Sequence, residues 1–98
     1  MALEIANTIL SQLGGNKFLA MTGASNLLGG DNTLSFKIGR NANKVTHVRV
    51  TLTPMDDYSV EFINIRGTNV KPIATVDGVY ADNLREVFER RTGLRTSL

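Results

Sequence analysis

Between Thr33 and Phe62, apolar side chains fall on every second residue in three separate runs. Leu34, Phe36 and Ile38 alternate with Thr33, Ser35 and Lys37. Val48, Val50 and Leu52 alternate with His47, Arg49, Thr51 and Thr53, and Tyr58, Val60 and Phe62 enclose Ser59 and Glu61. Successive side chains of an extended backbone point to opposite faces, so each run is a strand with one oily face and one wet face. The strands are expected over Thr33–Ile38, Val45–Thr53 and from Tyr58 onward. They are separated by a polar turn, Gly39–Lys44, and by Pro54–Asp57. Connections this short produce antiparallel neighbours.

Parity also constrains register. Residues directly opposite each other share a face. For Val50 and Leu52 to lie inward with Val60 and Phe62, the Pro54 loop must hold three or five residues, which excludes a two-residue hairpin. After Phe62 the pattern slips, because Ile63 and Ile65 have the opposite parity. Either a bulge intervenes there, or that end of the strand is covered on both faces.

Helices flank this region. Leu3, Ala6, Leu10 and Leu13, with Ile9 beside them, mark one face of a helix over residues 2–13, which Gly14-Gly15 ends. Lys17–Thr22 reads as a further strand, and Gly23–Asn32 as a loop whose Leu27 and Leu28 fold back on apolar surface. Val70–Val76 reads as a short edge strand, since Pro72 lacks a ladder donor. Asp77 as N-cap and Gly78 as opening residue then introduce a helix from about Val79 to Arg91, closed by Gly93, with Leu94 and Leu98 docking back on the core. The expected fold is α+β, in a single domain over residues 1–98. It is an antiparallel four- to five-stranded meander with an N-terminal and a C-terminal helix packed on one face, in the order α-β-β-β-β-(β)-α.

A chain of 98 residues suits one domain with one core. Hydrophobic residues at 42% and charged residues at 20% argue against disorder. Cysteine is absent, which favours an intracellular setting for so small a domain. Met1–Leu13 has no basic residue of the kind that heads a signal peptide, and no apolar run approaches the ~20 residues that cross a bilayer.

The charge distribution is uneven. Residues 37–53 carry Lys37, Arg40, Lys44 and Arg49 and no acid, whereas residues 54–65 carry Asp56, Asp57 and Glu61 and no base. On the outward face, Ser35, Lys37, His47, Arg49 and Thr51 should cluster, with Arg40 and Lys44 at the turn. Phosphate oxygens accept hydrogen bonds from such side chains, and a basic sheet face is a track for a single strand. The plainer reading is a solvated polar face on which Arg49 pairs with Glu61 across the strands. No aromatic shares that face, because Tyr58 and Phe62 have the core parity.

Catalytic and metal chemistry are poorly supplied. His47 is the only histidine and points outward. Asp56 and Asp57 are adjacent, whereas a calcium loop places carboxylates at alternate positions. The glycines match neither the P-loop nor the dinucleotide pattern. Arg90 and Arg91 complement a helix C-terminus, and Glu86 and Arg90 form an i,i+4 pair. No catalytic residue, metal ligand or cofactor is expected.

Three segments carry a family likeness: Lys17-Phe-Leu-Ala-Met-Thr-Gly-Ala, Met55-Asp-Asp-Tyr-Ser-Val-Glu-Phe, and Gly78-Val-Tyr-Ala-Asp-Asn-Leu through Thr92-Gly-Leu. In these the chain resembles a family of small, uncharacterised proteins of bacteriophages and mobile elements. The resemblance implies a bacterial cytoplasm as the setting and supplies no catalytic or binding residues. A sheet backed by helices is also similar to Whirly-type single-strand DNA binders, a likeness of fold alone.

The expected function is therefore a non-enzymatic, phage-type binding module. Its first candidate partner is single-stranded nucleic acid, held by Lys37, Arg40, Lys44, His47 and Arg49. The alternative is a protein-interaction module that modulates a host or defence protein through a strand edge or the Ile63/Ile65 surface. A second copy of the chain is a further candidate partner, and a membrane is not.

Overall fold

Val50 lies directly opposite Leu34 on one side and Val60 on the other, so the inward side chains of three consecutive strands stack in one row. The computed structural model describes residues 4–39 and 43–94. Its elements are helices α1 (Glu4–Leu13) and α2 (Gly15–Thr22), strands β1 (Ser25–Gly29), β2 (Thr33–Lys37), β3 (His47–Leu52), β4 (Tyr58–Arg66) and β5 (Asn69–Val79), and helix α3 (Leu84–Thr92). The strands form one antiparallel sheet in chain order, β1-β2-β3-β4-β5. The fold is the expected α+β meander with helices at both ends of the chain. No described helix is long and apolar enough to cross a membrane.

The core fills the space between the sheet's inward face and the helices. Phe36, Val48, Val50, Val60 and Phe62 from the sheet meet Ile9 and Leu13 of α1, Phe18 of α2, and Leu84 and Phe88 of α3. Phe18 stands edge-on to Phe36 at 5.3 Å and to Phe88 at 5.1 Å between ring centroids. Three rings so placed join a helix from each end of the chain to the sheet. The Tyr58 hydroxyl donates to Oε1 of Gln12 at 2.7 Å and anchors α1 to β4. The Pro54 loop is the odd-length turn that parity requires: the Thr53 amide donates to the Asp57 carbonyl at 2.8 Å, enclosing three residues.

Four expectations are corrected. Lys17–Thr22 is helical, not a strand: Phe18 and Thr22 are buried on one face of α2, and the Thr22 hydroxyl donates to the Phe18 carbonyl at 2.7 Å. Ser25–Gly29, expected as loop, is the edge strand β1, held to β2 by its backbone while all five residues stay exposed. Leu27 and Leu28 do not fold back on the core, since Leu28 remains 68% exposed. The last strand runs on to Val79, so Asp77 and Gly78 belong to β5 and not to a helix start. Asp77 Oδ1 instead accepts a 2.8 Å hydrogen bond from Ser59, and α3 begins at Leu84, with exposed Tyr80 outside it. Leu94 packs against the core as expected, whereas Leu3 and Leu98 lie outside the described residues.

The parity slip after Phe62 also has a definite origin. β4 keeps its alternation against β3, with Ile63 opposite His47, so Ile63 and Ile65 lie on the outward face, half-buried. The bulge is in β5, where Ile73 is the extra residue between Ala74, opposite Phe62, and Pro72, opposite Ile63. A second irregularity sets Asp77 and Gly78 against Ser59 alone. β5 is thus an edge strand interrupted twice and carrying a proline.

Candidate nucleic-acid interface

Sheet topology sorts the charges by end. The β1–β2 and β3–β4 connections share one end and hold Asp31, Asp56 and Asp57, with Asp77 of β5 nearby. The β2–β3 and β4–β5 connections share the opposite end, where Lys37, Lys44, Arg66 and Lys71 gather. The C-terminus of α3 reaches the same end, since Asn43 Nδ2 donates to the Arg91 carbonyl at 2.6 Å.

Local structure explains how the basic residues meet. The bulge at Ile73 reverses the parity of the rest of β5, so Lys71 stands opposite Asn64 and Asn69 opposite Arg66, all on the helix-facing side. This side of the hairpin extends beyond Phe62, the last buried side chain of β4. The hairpin closes through Gly67-Thr68, and Gly67 has φ +60°, a conformation glycine adopts at no steric cost. Gly39 brings the end of β2 against α2: its amide donates to the Thr22 carbonyl at 2.9 Å, and a side chain there would meet that oxygen at 3.1 Å.

Two adjoining clefts result. One, of about 700 Å³, is lined by Lys44, Arg66, Lys71 and Asn69, with Pro72 and Ile73 as its apolar part. The other, of about 490 Å³, shares Lys44 and Arg66 and adds Lys37. No acidic residue lines either cleft among the described residues. Arg66, Asn69 and Lys71 make no side-chain hydrogen bond or ion pair among the described residues, so their donors are available to a ligand. Lys44 adopts φ +60°, and its carbonyl accepts from Asn64 Nδ2 at 2.6 Å.

The residues expected from sequence are only partly brought together. Lys37 and His47 are direct neighbours on the outward face. Arg49 is on that face too, but Glu61 lies opposite, with the guanidinium 3.6 Å from its carboxylate. Lys44 belongs to the clefts, and Arg40 lies outside the described residues. His47 titrates below its ordinary 6.5, first because it is partly desolvated and second because of the Lys37 charge. Its Nδ1 is 2.8 Å from the Thr46 hydroxyl, which also accepts from the Ile65 amide at 2.8 Å. Sequence alone does not single out Arg66 and Lys71, because the Gly67-Thr68 hairpin sets them side by side and the β5 bulge turns Lys71 to the helix-facing side.

A cationic concavity lined by unengaged donors is suited to phosphate oxygens. No side chain there is arranged as a nucleophile with a base, and no group of three potential metal-ligating residues occurs among the described residues. No protein-family model, curated protein or solved structure matches the chain, so the functional reading rests on this geometry.

Proposed function

We propose that the chain is a non-enzymatic module that binds nucleic acid through the basic end of its sheet, in the cytoplasm of a bacterial host. One observation carries the reading: Lys37, Lys44, Arg66 and Lys71 line two joined clefts with no acidic residue among the described residues that line them, while Asp31, Asp56, Asp57 and Asp77 lie at the far end. Such polarity orients the molecule as it approaches a polyanion. Arg49 is a lesser contributor, because Glu61 already faces it.

The alternative is a module for a host or defence protein. It draws on the outward apolar residues Ile63, Ile65 and Val70, of which Val70 is 64% exposed. Salt separates the two readings. Each phosphate contact on a single strand adds about −0.7 to the slope of log affinity against log salt, through counterion release. Titration of labelled oligonucleotides at several salt concentrations is expected to give a slope of about −2 to −3 for the four cations. Absence of binding at low salt would remove the nucleic-acid reading.

A further inference from the structure

The larger cleft joins two kinds of surface. Lys44, Arg66 and Lys71 supply cationic donors, while Pro72 and Ile73 supply apolar cover, Ile73 being 42% exposed. Asn69 lies opposite Arg66 at the hairpin end, exposed, with its whole carboxamide unengaged among the described residues. A carboxamide offers a donor and an acceptor side by side, the pattern that pairs with a base edge. The neighbouring carboxamides are differently placed, since Asn43 and Asn64 each spend a donor on a backbone carbonyl. A phosphate site alone requires only the cations. The apolar wall and the free carboxamide are what a base requires, because its ring face seeks cover from water and its edge seeks hydrogen bonds.

We propose that this cleft takes one nucleotide of a single strand, with its phosphate at Lys44, Arg66 and Lys71 and its base against Pro72 and Ile73, read at its edge by Asn69. This rests on the nucleic-acid reading and deepens it. The volume of about 700 Å³ falls within the roughly 300–1,000 Å³ of clefts that enclose groups of small-molecule size. A single strand is the form that fits, because a duplex keeps its base faces stacked inside. The apolar wall takes the place of the aromatic platform that single-strand binders commonly use and that the outward face of this sheet lacks.

The test compares three probes of one length at low salt: a single strand, the same strand made abasic, and the duplex. The single strand is expected to bind about tenfold more tightly than the abasic strand, and more tightly than the duplex. Asn69→Ala and Ile73→Ser are each expected to weaken the strand with bases severalfold more than the abasic strand, and so to abolish the preference between them. Both positions are exposed, so the fold should tolerate the changes. Equal binding of the abasic strand, tighter binding of the duplex, or a preference that survives both substitutions would overturn the nucleotide cleft and leave charge-driven binding standing. Failure of all three probes to bind would overturn both readings.

Discussion

Asn64 holds Lys44 by its backbone, not by its charge: the Asn64 amide donates to the Lys44 carbonyl at 2.6 Å, and Lys44 sits at φ +60°. A lysine in the left-handed region costs roughly 1 kcal/mol or more, and the surrounding structure must impose it. The hydrogen bond across to β4 is part of that imposition. It fixes where the lysine leaves the backbone, between the two clefts it helps to line.

Lys44→Gly separates folding from binding. Glycine removes the strain but adds unfolded-state entropy, so stability should change by between zero and about +1 kcal/mol. Affinity for an oligonucleotide should fall severalfold, and the salt slope should lose about 0.7. Denaturant melts beside salt titrations check both outcomes, and weaker binding in a more stable protein cannot be ascribed to unfolding.

Arg66→Ala combined with Lys71→Ala should weaken binding by about tenfold or more at low salt and reduce the slope by about 1.4, since two phosphate contacts disappear. Arg49→Ala should change affinity by less than about twofold, because its charge is exposed and already faces Glu61. Fluorescence anisotropy on the two variants ranks the cleft against the outward face.

His47 gives the fold a pH dependence of defined sign. Burial and the Lys37 charge lower its folded pKa below 6.5. As pH falls through 6.5 the unfolded chain takes up the proton first, so stability declines between 6.5 and the lowered folded value and levels off beneath it. The full contribution is present above 6.5. Denaturation midpoints at about pH 7.5 and about pH 5.5 should differ in the parent, and differ less in His47→Gln.

Phe18→Ala should cost about 3–5 kcal/mol, because it empties the centre of a three-ring cluster that ties α2, β2 and α3 together. Leu28→Ala should stay within about 0.5 kcal/mol, as Leu28 is 68% exposed on the edge strand. Chemical denaturation of the two variants measures how unequal two large apolar side chains of one small domain are.

The meander was legible because burial imposes a period of two on its three middle strands: Leu34 and Phe36, Val48 and Val50, and Val60 and Phe62 are all buried. The Arg49–Glu61 pairing followed from the same parity. The flanks were less legible for separate reasons. Phe18-Leu19-Ala20-Met21 is too short for periodicity to separate helix from strand, and the ring contacts of Phe18 decide the matter only in three dimensions. Ser25–Gly29 buries nothing, so a strand held by backbone hydrogen bonds leaves no apolar signature. Gly78 resembles a helix start in sequence, whereas its φ of +69° serves an irregularity within β5.

The candidate site divides along the same line. Lys37 and Lys44 stand out because they occupy a basic stretch of sequence. Arg66 and Lys71 do not, since a two-residue turn and a bulged partner strand bring them together. Such a bulge depends on how β5 pairs with β4, and no local pattern around Ile73 announces it.

The irregular pairing of β5 bears on crowding as well. A neighbouring chain seeking to add a strand along this border would lose its hydrogen-bonding rhythm at Ile73, at Pro72 and again near Gly78. Copies packed side by side would therefore find no continuous seam to zip along β5.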